Sequence, residues 1–195
     1  MQAQPIMLQA RDLAKRFTLH MQGGVDIPVF EGAALSVRAG DCLVLSGPSG
    51  AGKSTLLRCL YGNYIAQAGS IRVRHCDEMV ELVGAEPRVI LNVRRLTLGY
   101  VSQFLRVIPR VSTLDLVMEP LLARGLTKEE ARERAEALLA RLNIPRTLWQ
   151  LAPSTFSGGE QQRVNIARGL IADYPVMLLD EPTASLDATN RKTVI

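Results

Sequence analysis

Three stretches of the chain bring together residue types that handle phosphate. In "GPSGAGKST", residues 47–55, Gly47, Gly52, Lys53 and Ser54 fit the spacing G-x-x-x-x-G-K-[ST]. Glycines let successive backbone amides turn towards an anion, and a helix start adds partial positive charge. Lys53 would reach the β- and γ-phosphates of ATP, and Ser54 would bind Mg²⁺. The whole loop is therefore a candidate nucleotide contact: Gly47, Pro48, Ser49, Gly50, Ala51, Gly52, Lys53, Ser54 and Thr55. In "VMLLDE" an apolar run ends in two acids, placing Asp180 to hold Mg²⁺ through water and Glu181 to accept a proton from an attacking water. The third stretch, "STFSGGEQQRVNIARG" at residues 154–169, opens a helix with a serine and two glycines. Such a start is a second anion receptor. One phosphate loop already serves the chain's own nucleotide, so the second is expected to serve a nucleotide held by another subunit.

These groups need a scaffold, and the periodicity supplies one. "IMLQA", "KRFTLH" and "VFEGAALSV", with "MQGG" as a turn, predict a small antiparallel sheet at the N-terminus. "DCLVLSG" predicts a short buried strand, and "KSTLLRCLYGNY" behind it a helix with a glycine stop. Strand, glycine loop and helix follow in the order a phosphate site requires. "SIRVRH" and "LTLGYVSQ" predict strands around a segment, "DEMVELVGAEPRVILNVRR", that carries no clear pattern. Residues 113–143 turn helical. Thr127 and Glu130 form a capping box there, and Ala131, Ala135, Leu138, Leu139 and Leu142 form one apolar stripe. This predicts a helical insert between two halves of an α/β core. "VMLLD" is a further buried strand, and it ends at the sheet edge where doubly wound folds bind ligands.

Bulk properties agree with an ordinary folded domain. The chain has 195 residues, 47% hydrophobic and 22% charged, enough for one domain and one sizeable core. The net charge of +4 is best read as solvated helix faces on which arginines lie beside glutamates. Aromatics make up only 5% and there is no basic run, which argues against a nucleic-acid binder. Three cysteines without a CxxC pair indicate neither a disulfide framework nor a zinc site and suit a reducing cytoplasm. The N-terminus lacks the pattern of a secretion signal, and no apolar run approaches the roughly 20 residues that span a bilayer.

On "GPSGAGKST", "SGGEQ" and "LLDE" together the sequence resembles the ABC-type ATP-binding family. That resemblance implies an α/β P-loop NTPase of ABC ATPase type: a mixed or parallel core sheet, an N-terminal antiparallel β subdomain and a helical subdomain. It divides a single ATP-binding domain, 1–195, into a mainly β part at 1–45, the first part of the P-loop core at 46–103, the helical subdomain at 104–156, and the signature helix, acidic strand end and following loop at 157–195. Family members are Mg²⁺-dependent ATPases that pair head to tail, so Ser157, Gly158, Gly159 and Glu160 would close over a partner's ATP. The resemblance also implies that Gln103 touches metal and water and relays to a partner, that Asp187 in "SLD" lies in a loop crossing the dimer interface, and that Phe17 stacks on adenine. It further implies a histidine on a strand beyond this loop. His20 and His75 are the only histidines and lie too early, so the C-terminal part of the fold is expected to be missing and hydrolysis by the chain alone to be limited.

Within the family, "VSQFLRVIPRVSTLDLVMEPLL" and "DYPVMLLDEPTASLDA" resemble the PhnL-type branch, which serves the bacterial carbon–phosphorus lyase system for phosphonate breakdown. The expectation from this is a cytoplasmic ATPase, homo- or heterodimeric with a second ABC subunit, bound to the carbon–phosphorus lyase core complex. The alternative is the ATPase subunit of a membrane transporter of lipoprotein-release or export type. A third reading is a module whose ATP-driven dimerisation organises a complex without fast turnover.

Overall fold

Alternating apolar residues make β1 and β2 a long hairpin, and its irregularities show why the alternation is broken. The computed structural model describes residues 4–19, 21, 23–105, 107–187 and 190–192. His20, Gln22 of the expected turn, Arg106 of "QFLRVIPR" and parts of the segment after Asp187 lie outside these. The chain divides into two units, Met1–Leu98 and Gly99–Ile195.

In the first unit β1 (Ile6–Leu19), β2 (Val25–Arg38), β3 (Ala68–His75) and β4 (Glu78–Glu81) form a sheet in the order β2-β1-β3-β4, every pair antiparallel. Leu8 and Ala10 are buried and so are Leu13 and Lys15, a pattern that slips by one residue in the middle of β1. A register shift lies between Ala10 and Leu13, and Asp12 there has φ 50°. A bulge of this kind adds one residue and lets the strand return to the same face. Two helices belong to this unit, α1 (Lys53–Leu60) and α2 (Pro87–Leu96). The second falls in the segment without a clear sequence pattern. Proline at its first position starts it, and Val93 is its buried residue.

One sequence expectation needs correction in this unit. Residues 41–48, "DCLVLSGP", form no strand, and Leu43 and Val44 are exposed, Val44 by 79%. A strand is held by the ladder of a neighbour. The four-stranded sheet is complete without this segment, and among the described residues no strand pairs with it. Apolar composition alone predicts a buried strand, but it does not supply the neighbour that would bury and pair it.

In the second unit β5 (Leu98–Val101) pairs with β6 (Val176–Leu179), and the longer helices among the described residues are α3 (Thr113–Leu122), α4 (Lys128–Arg141) and α5 (Gly158–Leu170). Its core joins Val101, Leu116, Met118, Leu121, Leu139 and Ile166. Helix α4 starts with the capping box: Glu130 N donates to Thr127 Oγ1, and Thr127 N donates to Glu130 Oε2 at 3.0 Å. It buries Ala131, Ala135 and Leu139, with Leu142 just beyond and Leu138 half-buried. Trp149 is buried beside them, its Nε1 donating to the Ile144 carbonyl at 3.0 Å. Helix α5 lies close on β5: a Cβ at Gly169 would collide with the Val101 side chain, so only glycine allows this approach.

Candidate functional site

In the first unit, the turn into α1 is built for an anion. Gly52 is the N-cap of α1 at φ 84°, a left-handed conformation, and no side chain caps the helix. Gly50, at φ 81°, turns the loop just before it. The first amides of a helix lack partners within it, no side chain caps them here, and a helix start of this kind favours a phosphate. Lys53 Nζ donates to the carbonyls of Gly47 and Pro48, each at 2.8 Å, so its ammonium is folded over the loop it belongs to. An ammonium carries three donors. Two brace the loop and the third can meet a phosphate. Phe17 is half-buried and packs edge-on against Tyr64, ring centroids 5.4 Å apart. Lys15 Nζ sits 4.8 Å from the Phe17 centroid and donates to the Ile65 carbonyl at 2.8 Å. Phe17 is thus part of a packed aromatic and cation cluster, with its own support for any base stacked on it.

In the second unit, residues far apart in sequence meet at the end of β6. Asp180 is 2% exposed; its amide donates to the Val101 carbonyl at 2.9 Å, and Tyr100 Oη donates to its Oδ2 at 3.1 Å. The next residue, Glu181, is exposed and has φ 49°. Gln103 Nε2 donates to Glu181 Oε2 at 3.0 Å. The structure therefore joins the two residues proposed from sequence to handle water. Among the described residues there is no group of three or more His, Cys, Asp or Glu suited to a metal. A single buried carboxylate nonetheless fits Mg²⁺, which keeps several waters and is bound through one or two carboxylates and substrate phosphates.

The start of α5 carries a capping box besides its two glycines. Ser157 is its N-cap: Ser157 Oγ accepts from Glu160 N at 3.3 Å, and Glu160 Oε2 accepts from Ser157 N at 2.9 Å. These hydrogen bonds, chiefly that from the Ser157 side chain and then that from its amide, hold the Glu160 carboxyl below its ordinary value. The carboxylate at this position thus serves its own helix. Gly158 has open space around it, whereas Gly159 lies against the Ser185 carbonyl, 3.3 Å from where a Cβ would stand. Asp187 accepts from both the amide and the side chain of Asn190, each at 2.8 Å. Sequence reasoning missed Gln162 and Asn165. Both are buried polar residues of α5 whose amides reach loop carbonyls, and their place three residues apart beside Val164, Ile166 and Ala167 on the buried side of the helix was the signal.

Comparison with known proteins completes the description. The ABC transporter family profile matches residues 30–184. An uncharacterized ABC transporter ATP-binding protein of Mycobacterium tuberculosis (strain ATCC 25618 / H37Rv) is 40% identical over 168 residues, 86% of this chain and 49% of that protein. The chain thus spans about half the length of this relative. The lipoprotein-releasing system ATP-binding protein LolD of Chromohalobacter salexigens is 37% identical over 184 residues, 94% of this chain and 74% of that one. Among solved structures, the dimeric bacterial ABC transporter cassette MJ0796 superposes with a TM-score of 0.87 at 27% identity, over 96% of this chain and 79% of that one. The fold is accordingly that of a P-loop ABC ATPase with an antiparallel β subdomain and a helical part. Among the described residues no helix is long and apolar enough to cross a membrane.

These relatives correct the phosphonate expectation and, with it, the carbon–phosphorus lyase partner: they are named for transporters, including lipoprotein release. The physical reason lies in what was compared. The phosphate loop, the α5 start and the acids after β6 answer to a nucleotide and say nothing of what the ATPase drives. Within the stretches that suggested the narrower branch, residues 103–105 and 107–110 form neither helix nor strand, and Phe104 and Ile108 are exposed.

Proposed function

We propose, because the chain belongs to the ABC transporter family, that it is the ATP-binding and ATP-hydrolysing part of a membrane transporter of lipoprotein-release or export type. The observation that carries the catalytic half is the Gln103–Glu181 hydrogen bond, which joins two residues 78 apart in sequence at a strand end beside the buried Asp180. The transporter half is supported by the names of the relatives.

In this reading the amides of Gly50 to Thr55 and the Lys53 ammonium bind the ATP phosphates, with the helix start contributing partial charge. Phe17 stacks on the base. Ser54 in the first unit, and Gln103 and Asp180 in the second, are each suited to Mg²⁺, which when bound offsets phosphate charge. Glu181 takes the proton of the attacking water, and the amide of Gln103 holds one carboxylate oxygen so that the other faces that water. Ser157 and the amides of Gly158 and Gly159 receive the phosphate of a nucleotide carried by a second ABC subunit, and Asp187 lies at that dimer interface. Transport would follow from the closing and opening of this dimer in the cytoplasm.

The experiment is affinity purification of the tagged full-length protein from detergent-solubilised membranes, read by mass spectrometry. The expected result is stoichiometric recovery of an integral membrane permease, with ATPase activity that Glu181→Gln strongly lowers. Recovery of soluble partners alone would refute the transporter reading.

A further inference from the structure

Two buried amides on α5 lie one turn apart, and each leaves the helix to hold a main-chain carbonyl beside a reactive residue. Gln162, 3% exposed, donates through Nε2 to the Pro182 carbonyl at 2.9 Å. Asn165, 6% exposed, donates through Nδ2 to the Ser102 carbonyl at 2.6 Å. Pro182 follows Glu181 directly, and Ser102 directly precedes Gln103. Since Gln103 and Glu181 are themselves bonded at 3.0 Å, the contacts close a ring: α5, Pro182, Glu181, Gln103, Ser102 and back to α5. Residues three apart share a helix face, so one face of α5 carries both anchors.

Two further observations place a strained residue and a close packing contact at the ring. Glu181 sits at φ 49°, a conformation that a non-glycine residue keeps only when its surroundings impose it. Gly159, one turn before Gln162, lies against the Ser185 carbonyl, so the same face of α5 also backs the end of that loop.

We propose that Gln162 and Asn165 are positioning residues for ATP hydrolysis: together they fix Glu181 and Gln103 to the helix whose N-terminus receives the partner's nucleotide. The inference rests on the reading of Glu181 and Gln103 given above. Its consequence is coupling. A helix drawn onto a phosphate at its start carries both anchors with it, so closure of the dimer and alignment of the chain's own base are one movement. A misplacement of about 1 Å at a reacting group costs on the order of a hundredfold in rate.

The test uses the full-length protein and the variants Gln162→Met and Asn165→Leu, which keep apolar bulk and remove the donors. The expected result is a kcat at least tenfold lower in each with KM for MgATP within twofold of the parent. On a Glu181→Gln background, Gln162→Met should lower residual hydrolysis no further, because it acts through Glu181; a role in folding alone would give an additive loss. Unchanged kcat in a folded variant, or an additive loss, would overturn the proposal. If one variant does not fold, the other carries the same decision, with Gln103→Ala as its background. Glu181→Gln also separates the two readings. Full turnover there removes Glu181 as base, whereas loss of turnover there with normal Gln162→Met overturns the positioning role only.

Discussion

Replacing Gly52 by alanine tests the phosphate loop at the point where the structure leaves least room. Gly52 has φ 84°, and a Cβ built there would stand 2.8 Å from Val29 Cγ1 and 3.5 Å from both Phe30 Cδ1 and the Val29 carbonyl. Two costs follow. An L-residue in the left-handed region loses about 1–2 kcal/mol. Forcing a methyl against a valine, whose branched side chain has few rotamers to yield to, costs about 1–3 kcal/mol more. The sum starts at about 2 kcal/mol, which for a chain of this size lowers the thermal midpoint by about 4 °C or more. Val29→Ala removes the colliding methyl and should return the steric share, leaving the backbone share. Thermal unfolding of the parent, both single variants and the double variant completes the cycle, and calorimetry with MgATP reports whether the distorted loop still binds. An unchanged midpoint for Gly52→Ala, or additivity within about 0.5 kcal/mol across the cycle, would refute the argument that Val29 walls the loop.

Lys53→Ala should weaken ATP binding by roughly ten- to a hundredfold, the worth of a charged hydrogen bond; equal affinity by calorimetry would remove its role. Glu181→Gln should slow hydrolysis by about 10²–10⁴-fold while preserving ATP-driven dimers; turnover at the parent rate would exclude it as base. Ser157→Arg should leave the affinity of the monomer for ATP intact and block dimerisation, and dimers seen by light scattering would contradict the composite site. The two capping boxes make a prediction about pH. Hydrogen bonds, first from the side chains of Thr127 and Ser157 and then from their amides, hold the Glu130 and Glu160 carboxyls below the ordinary carboxylate value. A lowered folded value contributes stability that is complete above the unfolded pKa, about 4.3, and is lost as pH falls through the folded one. The thermal midpoint should therefore drop from about pH 5 downwards, and less so in Glu130→Gln/Glu160→Gln, since glutamine keeps the box without titrating. Equal slopes would refute the assignment.

The sequence disclosed what is local. The loop at 47–55, the box of Thr127 and Glu130 and the acids closing β6 each depend on neighbours within a few residues, so spacing alone revealed them. What it hid depends on distant partners. "DCLVLSG" has the composition of a buried strand but finds no ladder among the described residues, because pairing is a property of two segments. Helix α2 was obscured by its arginines, although Pro87 at its start and the apolar Val89, Ile90, Val93 and Leu96 would have marked it. Ser157 and Glu160 also have the spacing of a capping box, a second use that the reading of the α5 start as an anion site leaves out. Gln162 and Asn165 gain meaning only once Ser102 and Pro182 are seen opposite them.

Trp149 is the chain's only tryptophan, and it lies in the second unit, buried, with Arg146 stacked 5.5 Å from its ring. Its fluorescence is thus a private reporter. Emission should shift to the red when α3 and α4 part and water reaches the indole, while the first unit, which contains no tryptophan, stays dark at that wavelength. Circular dichroism sums both units, so comparing the two signals along one denaturant titration tells whether the phosphate loop and the Glu181 loop are lost in one cooperative step or in two.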